Sequence, residues 1–144
     1  MSIETQENPQ TAAKTGAPVG KGVVPCTVVP DSREAARFYA RAFGGEVQQM
    51  MPPESEGGKV MHCHMLINGG SLIFNDAFPE HGFPYLPPQS YVLHLQVDDV
   101  KAWWQRAVDA GCEVTMPLDV QFWGQRYGQV KDPYGIIWSL GGEP

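Results

Sequence analysis

No apolar run in these 144 residues approaches the roughly 20 that a membrane-spanning helix needs. No cationic start followed by an apolar stretch opens the chain, so a secretory leader is not expected. Cysteine is scarce and odd in number. Cys26, Cys63 and Cys112 include no Cys-x-x-Cys pair, which argues against a disulfide framework or a structural zinc site and points to a reduced cytoplasmic setting. No basic stripe is present either. The formal net charge is −6, and because Glu4, Glu7, Lys14 and Lys21 cancel, the excess sits beyond residue 22. Such a chain is not built for nucleic acid or an anionic membrane surface. No glycine cluster precedes a helix as a phosphate loop would, and Ser71, Ser90 and Ser139 lack a nucleophile elbow.

What is present is concentrated near the C-terminus, in Gln121-Phe-Trp-Gly-Gln-Arg-Tyr-Gly-Gln-Val-Lys-Asp-Pro-Tyr-Gly-Ile-Ile-Trp-Ser-Leu140. Asp132-Pro133-Tyr134-Gly135 has the residues that a type I turn prefers, with the Asp carboxylate able to accept from a turn amide. The flanks are short and β-leaning, so the stretch reads as a hairpin. Gly124 and Gly128 interrupt its first arm, the mark of a bulge or of a close approach by another group. Phe122, Trp123, Tyr127, Tyr134 and Trp138 crowd round one cation, Arg126. They form either a pocket wall or a core.

Residues 1–22 hold almost nothing large to bury and read as a flexible tail. A strand follows over 23–29, stopped by Pro30. Asp31 with Glu34 resembles a capping box, and Ala35, Phe38, Tyr39, Ala42 and Phe43 recur at helical spacing up to Gly44-Gly45. A strand over 46–51, a loop and a hairpin round Asn68-Gly69-Gly70 complete a first module, 23–76. Residues 77–89, with four prolines, form a connector whose Phe78, Phe83 and Tyr85 could also serve as a lid. The pattern then returns over 90–140. It gives a strand over 91–97, a helix from Asp98-Asp99, and β character from Glu113. Gly44-Gly45-Glu46-Val47 is echoed by Gly111-Cys112-Glu113-Val114. Adjacent on one helix, Trp103 and Trp104 cannot both face the core, so one should meet the sheet and the other a rim or subunit contact. The fold class is α+β, in two copies of strand, helix and three strands.

Trp123-Gly-x-Arg126-Tyr-Gly128 followed by Asp132-Pro-Tyr-Gly135 resembles the end of the glyoxalase/bleomycin-resistance/dioxygenase group, the vicinal oxygen chelate superfamily, and within it the PhnB-like branch. The resemblance covers nearly everything after the tail. It implies a single domain over 23–144, two βαβββ modules forming a shared cleft, and a homodimer. In metal-dependent members four inward side chains, two from each module, hold one divalent ion that polarises a substrate oxygen. Carried over by position, those ligands fall on Val24, on or beside Val92, on Ser139, and within 72–75, where no carboxylate stands. The usual metal site is therefore expected to be absent, with no cofactor.

Two functions follow. The first is a metal-free protein that binds or sequesters a cationic or aromatic small molecule, as the resemblance to bleomycin-resistance members implies. His94, Phe74, Phe122, Trp123, Arg126 and Tyr127 are the candidate lining, with Arg126 as orienting charge. The alternative is a metal-dependent lyase, isomerase or dioxygenase using His94 with His62 or His64. His62 and His64 share one strand face and His94 shares one with Val92, but spacing shows shared faces and not convergence. His81 reads as a surface residue.

Overall fold

The computed structural model describes residues 16–144; residues 1–15 of the expected tail lie outside them. Among the described residues eight strands and two α-helices alternate as two βαβββ modules. In the first, β1 (Cys26–Val29), α1 (Ser32–Phe43), β2 (Glu46–Met51), β3 (His62–Ile67) and β4 (Gly70–Asp76) give one four-stranded sheet of order β1-β4-β3-β2. In the second, β5 (Val92–Gln96), α2 (Val100–Ala110), β6 (Glu113–Val120), β7 (Arg126–Lys131) and β8 (Ile137–Gly142) give the order β5-β8-β7-β6. β1 runs parallel to β4 and β5 parallel to β8, while the other neighbours are antiparallel. The repeat inferred from the two helix starts and the two Gly-x-Glu-Val exits is thus a repeat of topology.

Local chemistry accounts for the element ends. β1 begins at Cys26 rather than residue 23 because Pro25 has no N–H to give a ladder; its carbonyl accepts from Ile73 N at 3.0 Å. Asp31 Oδ1 accepts from Arg33 N and Glu34 N, each at 3.1 Å, and so caps α1. Asp99 caps α2 through Ala102 N. Asn68 and Gly69 both take positive φ, the geometry of a two-residue hairpin turn. Of the tail, residues 16–22 follow the first sheet, with Ala17 N donating to Gln48 Oε1 at 2.7 Å and Gly20 N to Ser71 Oγ at 2.9 Å.

By compactness the chain divides into one unit that runs to Arg37 and resumes over Glu46–Tyr85, and another made of Phe38–Gly45 and Leu86–Pro144. In the first, strand alternation buries Cys63, Met65, Leu72 and Phe74. Asp76 closes this unit's sheet, its carboxylate accepting from Ser32 N at 2.7 Å and Val60 N at 2.8 Å. In the second, Tyr39 and Phe43 meet Trp138 at ring-centroid distances of 5.4 and 4.6 Å. Trp104 lies against β7 where Gly128 has no Cβ, since one built there would sit 2.8 Å from the indole. Trp103 instead packs under the Arg106 guanidinium, 4.8 Å from its ring. The adjacent tryptophans divide between sheet and rim, as the helical period requires.

The Asp-Pro turn is more than a corner. Asp132 is buried, and its Oδ1 accepts from Tyr134 N at 2.9 Å and Ile136 N at 3.0 Å. Its Oδ2 accepts from Tyr39 OH at 2.5 Å and Trp138 Nε1 at 2.9 Å. One carboxylate therefore joins the turn, the last strand and α1.

Candidate functional site

The face of the second sheet that bears Val92, His94, Gln96, Tyr127, Ser139 and Gly141 is set by alternation, because Leu95, Val130, Trp138 and Leu140 take the opposite, core-facing side. On this face lies an open pocket of about 400 Å³, to which Trp123 and Gln125 also contribute. His94 is its centre. The imidazole stacks on Tyr127 with rings 5.8 Å apart and 17° from parallel, and Tyr127 meets Trp123 edge to face at 5.7 Å. Trp123 is 50 % exposed. These rings form a half-open aromatic wall.

A hydrogen-bonded ladder runs beside the wall. His94 Nδ1 lies 2.7 Å from Ser139 Oγ, and Nε2 lies 2.8 Å from Gln96 Oε1. Gln96 Nε2 donates to Gln125 Oε1 at 3.2 Å, and Gln125 Nε2 donates to Glu143 Oε2 at 3.4 Å. A carboxylate only accepts, so Glu143 gives the ladder a direction. Gln96 Oε1 is then the acceptor of an Nε2–H of His94, and in the tautomer protonated only there Nδ1 accepts from the Ser139 hydroxyl. The ring can lie this close to β8 only because residue 141 is glycine. A Cβ there would stand 2.9 Å from His94 Cε1.

Of the residues singled out in the sequence, the structure brings together His94, Trp123 and Tyr127. Phe122 rests edge-on against Trp123 at 5.0 Å but points into solvent, 97 % exposed, and does not line the pocket. Two further positions require correction. Phe74 is fully buried in the first unit, because Leu72, Phe74 and Asp76 share the core face of β4. Arg126 precedes Tyr127 by one residue and so falls on the other face of β7. There it borders a different cavity, of about 550 Å³, with Asp98, Asp99 and Glu143. It cannot orient a ligand held against Tyr127.

Gln96, Gln125 and Gly141 were not anticipated. Gln96 was within reach of the same alternation that pairs His94 with Val92, whereas Gln125 and Gly141 gave no signal. Val92 and Ser139, where the second module's metal ligands would fall, do line this pocket. His62 and His64 share a face of the first sheet. Burial lowers the His62 pKa below its ordinary 6.5, and His64, 1 % exposed, lies 2.8 Å from Ser71 Oγ through Nε2. Among the described residues no group of three or more His, Cys, Asp or Glu side chains is placed to hold a metal ion.

Fold and site together define a two-module α+β protein with a ring-walled polar pocket. The chain belongs to the Glyoxalase/Bleomycin resistance protein/Dioxygenase superfamily, whose family model matches residues 23–140. It is 40 % identical over 124 residues to an uncharacterized protein of Mycobacterium tuberculosis strain H37Rv, covering 81 % of this chain and 71 % of that one. Among solved structures it is similar to protein PA1353 from Pseudomonas aeruginosa, with a TM-score of 0.70 and 28 % identity over 86 % of this chain and 98 % of that one. A PhnB protein from Bacillus cereus shares the fold, with a TM-score of 0.61 and 20 % identity over 85 % of this chain and 99 % of that one.

Proposed function

We propose that the second-sheet pocket binds a cationic or aromatic small molecule without a metal. The observation that carries this reading is the row of rings Trp123, Tyr127 and His94, half open to solvent beside a ladder whose polar groups are already oriented. An aromatic face attracts a cation by its quadrupole, by about 0.5–1 kcal/mol at an exposed site, and it takes a flat ring by stacking. The net charge of −6 and the Glu143 carboxylate at the ladder's end favour a positive ligand. Ser139 and the two glutamines supply the few polar groups that fix orientation in such a site. Placement in the PhnB-like branch rests on the Trp-Gly-x-Arg-Tyr-Gly and Asp-Pro-Tyr-Gly motifs.

The rival reading, a metal-dependent lyase, isomerase or dioxygenase at His94, meets a local obstacle. Both ring nitrogens of His94 already face partners within 2.8 Å, so a metal would have to displace Ser139 or Gln96. We further propose a cytoplasmic homodimer whose halves form one domain joined by 77–89, with no nucleic-acid or membrane partner. No helix among the described residues is long and apolar enough to cross a membrane.

Titrating the intact protein with tetraphenylphosphonium while following tryptophan fluorescence tests the pocket. Binding should occur, and it should weaken about threefold in Trp123→Ala, the size expected of a half-exposed ring facing a cation. Affinity unchanged by that substitution would remove the ring wall from the site. Elemental analysis of untagged protein tests the rival: one equivalent of metal, lost in His94→Ala, would establish the enzyme reading instead.

A further inference from the structure

A second cavity, of about 440 Å³, opens in the first unit between Met61, Asn75, Phe78, His81 and Phe83. Its walls follow from the sequence Phe78-Pro-Glu-His-Gly-Phe83. Pro79 starts a single 3-10 turn and Gly82 closes it with φ of 84°. The backbones of Phe78 and Phe83 can then exchange two hydrogen bonds, of 2.7 and 3.0 Å. Residues so paired project their side chains to the same side, and both phenyl groups line the cavity. Met61 brings a polarizable thioether that adapts to a flat partner. Asn75 is held on the floor by its own amide, which donates to Asp76 O at 2.8 Å.

Two features show that this is more than a crevice. Met61 and Phe83 are 64 % and 62 % exposed although they converge on one hollow, and exposed apolar side chains gathered in this way mark binding surfaces. Against the Phe78 ring, just outside the cavity's own lining, stands a cation. Lys59 Nζ lies 4.7 Å from the centroid of the Phe78 ring, and among the described residues no carboxylate pairs with it. In a chain of net charge −6, an ammonium group whose neighbour is an aromatic ring is complementary to an anion attached to an apolar body. The volume suits a small molecule, since such pockets span about 300–1,000 Å³.

We propose that this cavity binds a planar aromatic carboxylate. The ring packs against Phe78, Phe83 and Met61, the carboxylate accepts from the Lys59 ammonium, and the His81 imidazole, 6.3 Å from the Phe78 ring, forms the rim. The site shares no lining residue with the second-sheet pocket and is opposite to it in charge preference.

Calorimetric titration of the full chain with 1-naphthoate and with 1-naphthalenemethanol separates the two contributions. Naphthoate should bind about fivefold more tightly than the neutral alcohol, the size expected of an exposed ion pair, and Lys59→Met should abolish that preference. Phe83→Ala, on an exposed ring, should leave the fold intact by circular dichroism and weaken both ligands about tenfold. Trp123→Ala should change neither. The proposal is overturned by naphthoate failing to bind. It is equally overturned by binding that survives Phe83→Ala but is lost in Trp123→Ala, which would assign the ligand to the other pocket. A Phe83→Ala protein with unchanged naphthoate affinity but a smaller assembly in light scattering would show that the patch is an interface between copies, and it too would overturn the proposal.

Discussion

Removing one hydroxyl tests whether Asp132 is the anchor of its unit. In Tyr39→Phe the ring keeps its neighbours, Phe43 at 6.1 Å and Trp138 at 5.4 Å, while the 2.5 Å bond to Asp132 Oδ2 is lost. A hydrogen bond to a charged group contributes about 1.5–3 kcal/mol, so the buried carboxylate should lose that much stabilisation. For a chain of this size about 1 kcal/mol corresponds to roughly 2–4 °C, which gives a fall in Tm of about 3–12 °C at pH 7. The pH dependence has a definite sign. Burial raises the Asp132 pKa above its ordinary 3.8, while the bonds from Tyr39, Trp138, Ile136 and Tyr134 pull it down. Between the unfolded and folded values the native state holds a proton that the unfolded chain has released. The contribution of this group is therefore complete below the unfolded value and is lost as pH rises through the folded one. Deleting the Tyr39 hydroxyl lifts the folded pKa further, so the penalty should be largest near neutrality and shrink on acidification. Thermal melts by circular dichroism at pH 7 and in mild acid read both effects. A loss below about 1 °C at pH 7, well short of a charged hydrogen bond, would refute the reasoning, as would a penalty that grows in acid.

Gly128→Ala should destabilise by about 1–3 kcal/mol in urea titrations, because the new Cβ would sit 2.8 Å from the Leu118 backbone and the Trp104 ring. Gly141→Ala should displace the His94 ring from Ser139 and Gln96 and weaken tetraphenylphosphonium binding about tenfold; calorimetry showing unaltered affinity would count against the ladder. Iodoacetamide at pH 8 should label the folded chain once, at exposed Cys26. Burial pushes the Cys63 and Cys112 thiols up to about 12, and mass spectrometry finding three adducts on native protein would contradict this.

Much of the fold was legible because its signals are local. Asp31 and Asp99 cap helices with their own side chains, Asn68-Gly69 fixes a hairpin, and the spacing of Phe38, Tyr39 and Phe43 selects one helical face. The site was legible only in part. Alternation correctly separates His94 from the core, yet applied to β7 it also parts Arg126 from Tyr127, and the motif that suggested both residues gives no warning of this. Phe74 shows the same limit, since an aromatic on a strand is consistent with either face until its sheet is assembled.

Sequence alone determined the repeat, the acidic character, the capped helices and the turn at Asp132. Each depends on residue type or on spacing within a few positions. Tertiary structure decided what those residues touch. It set Ser139 against His94 across 45 positions, joined Tyr39 to Asp132 across 93, laid the His94 ring over Gly141, and divided five crowded aromatics between a core holding Tyr134 and Trp138 and a face bearing Tyr127, Trp123 and Phe122. Such contacts arise from sheet order and register, which side-chain packing settles only when distant strands have paired.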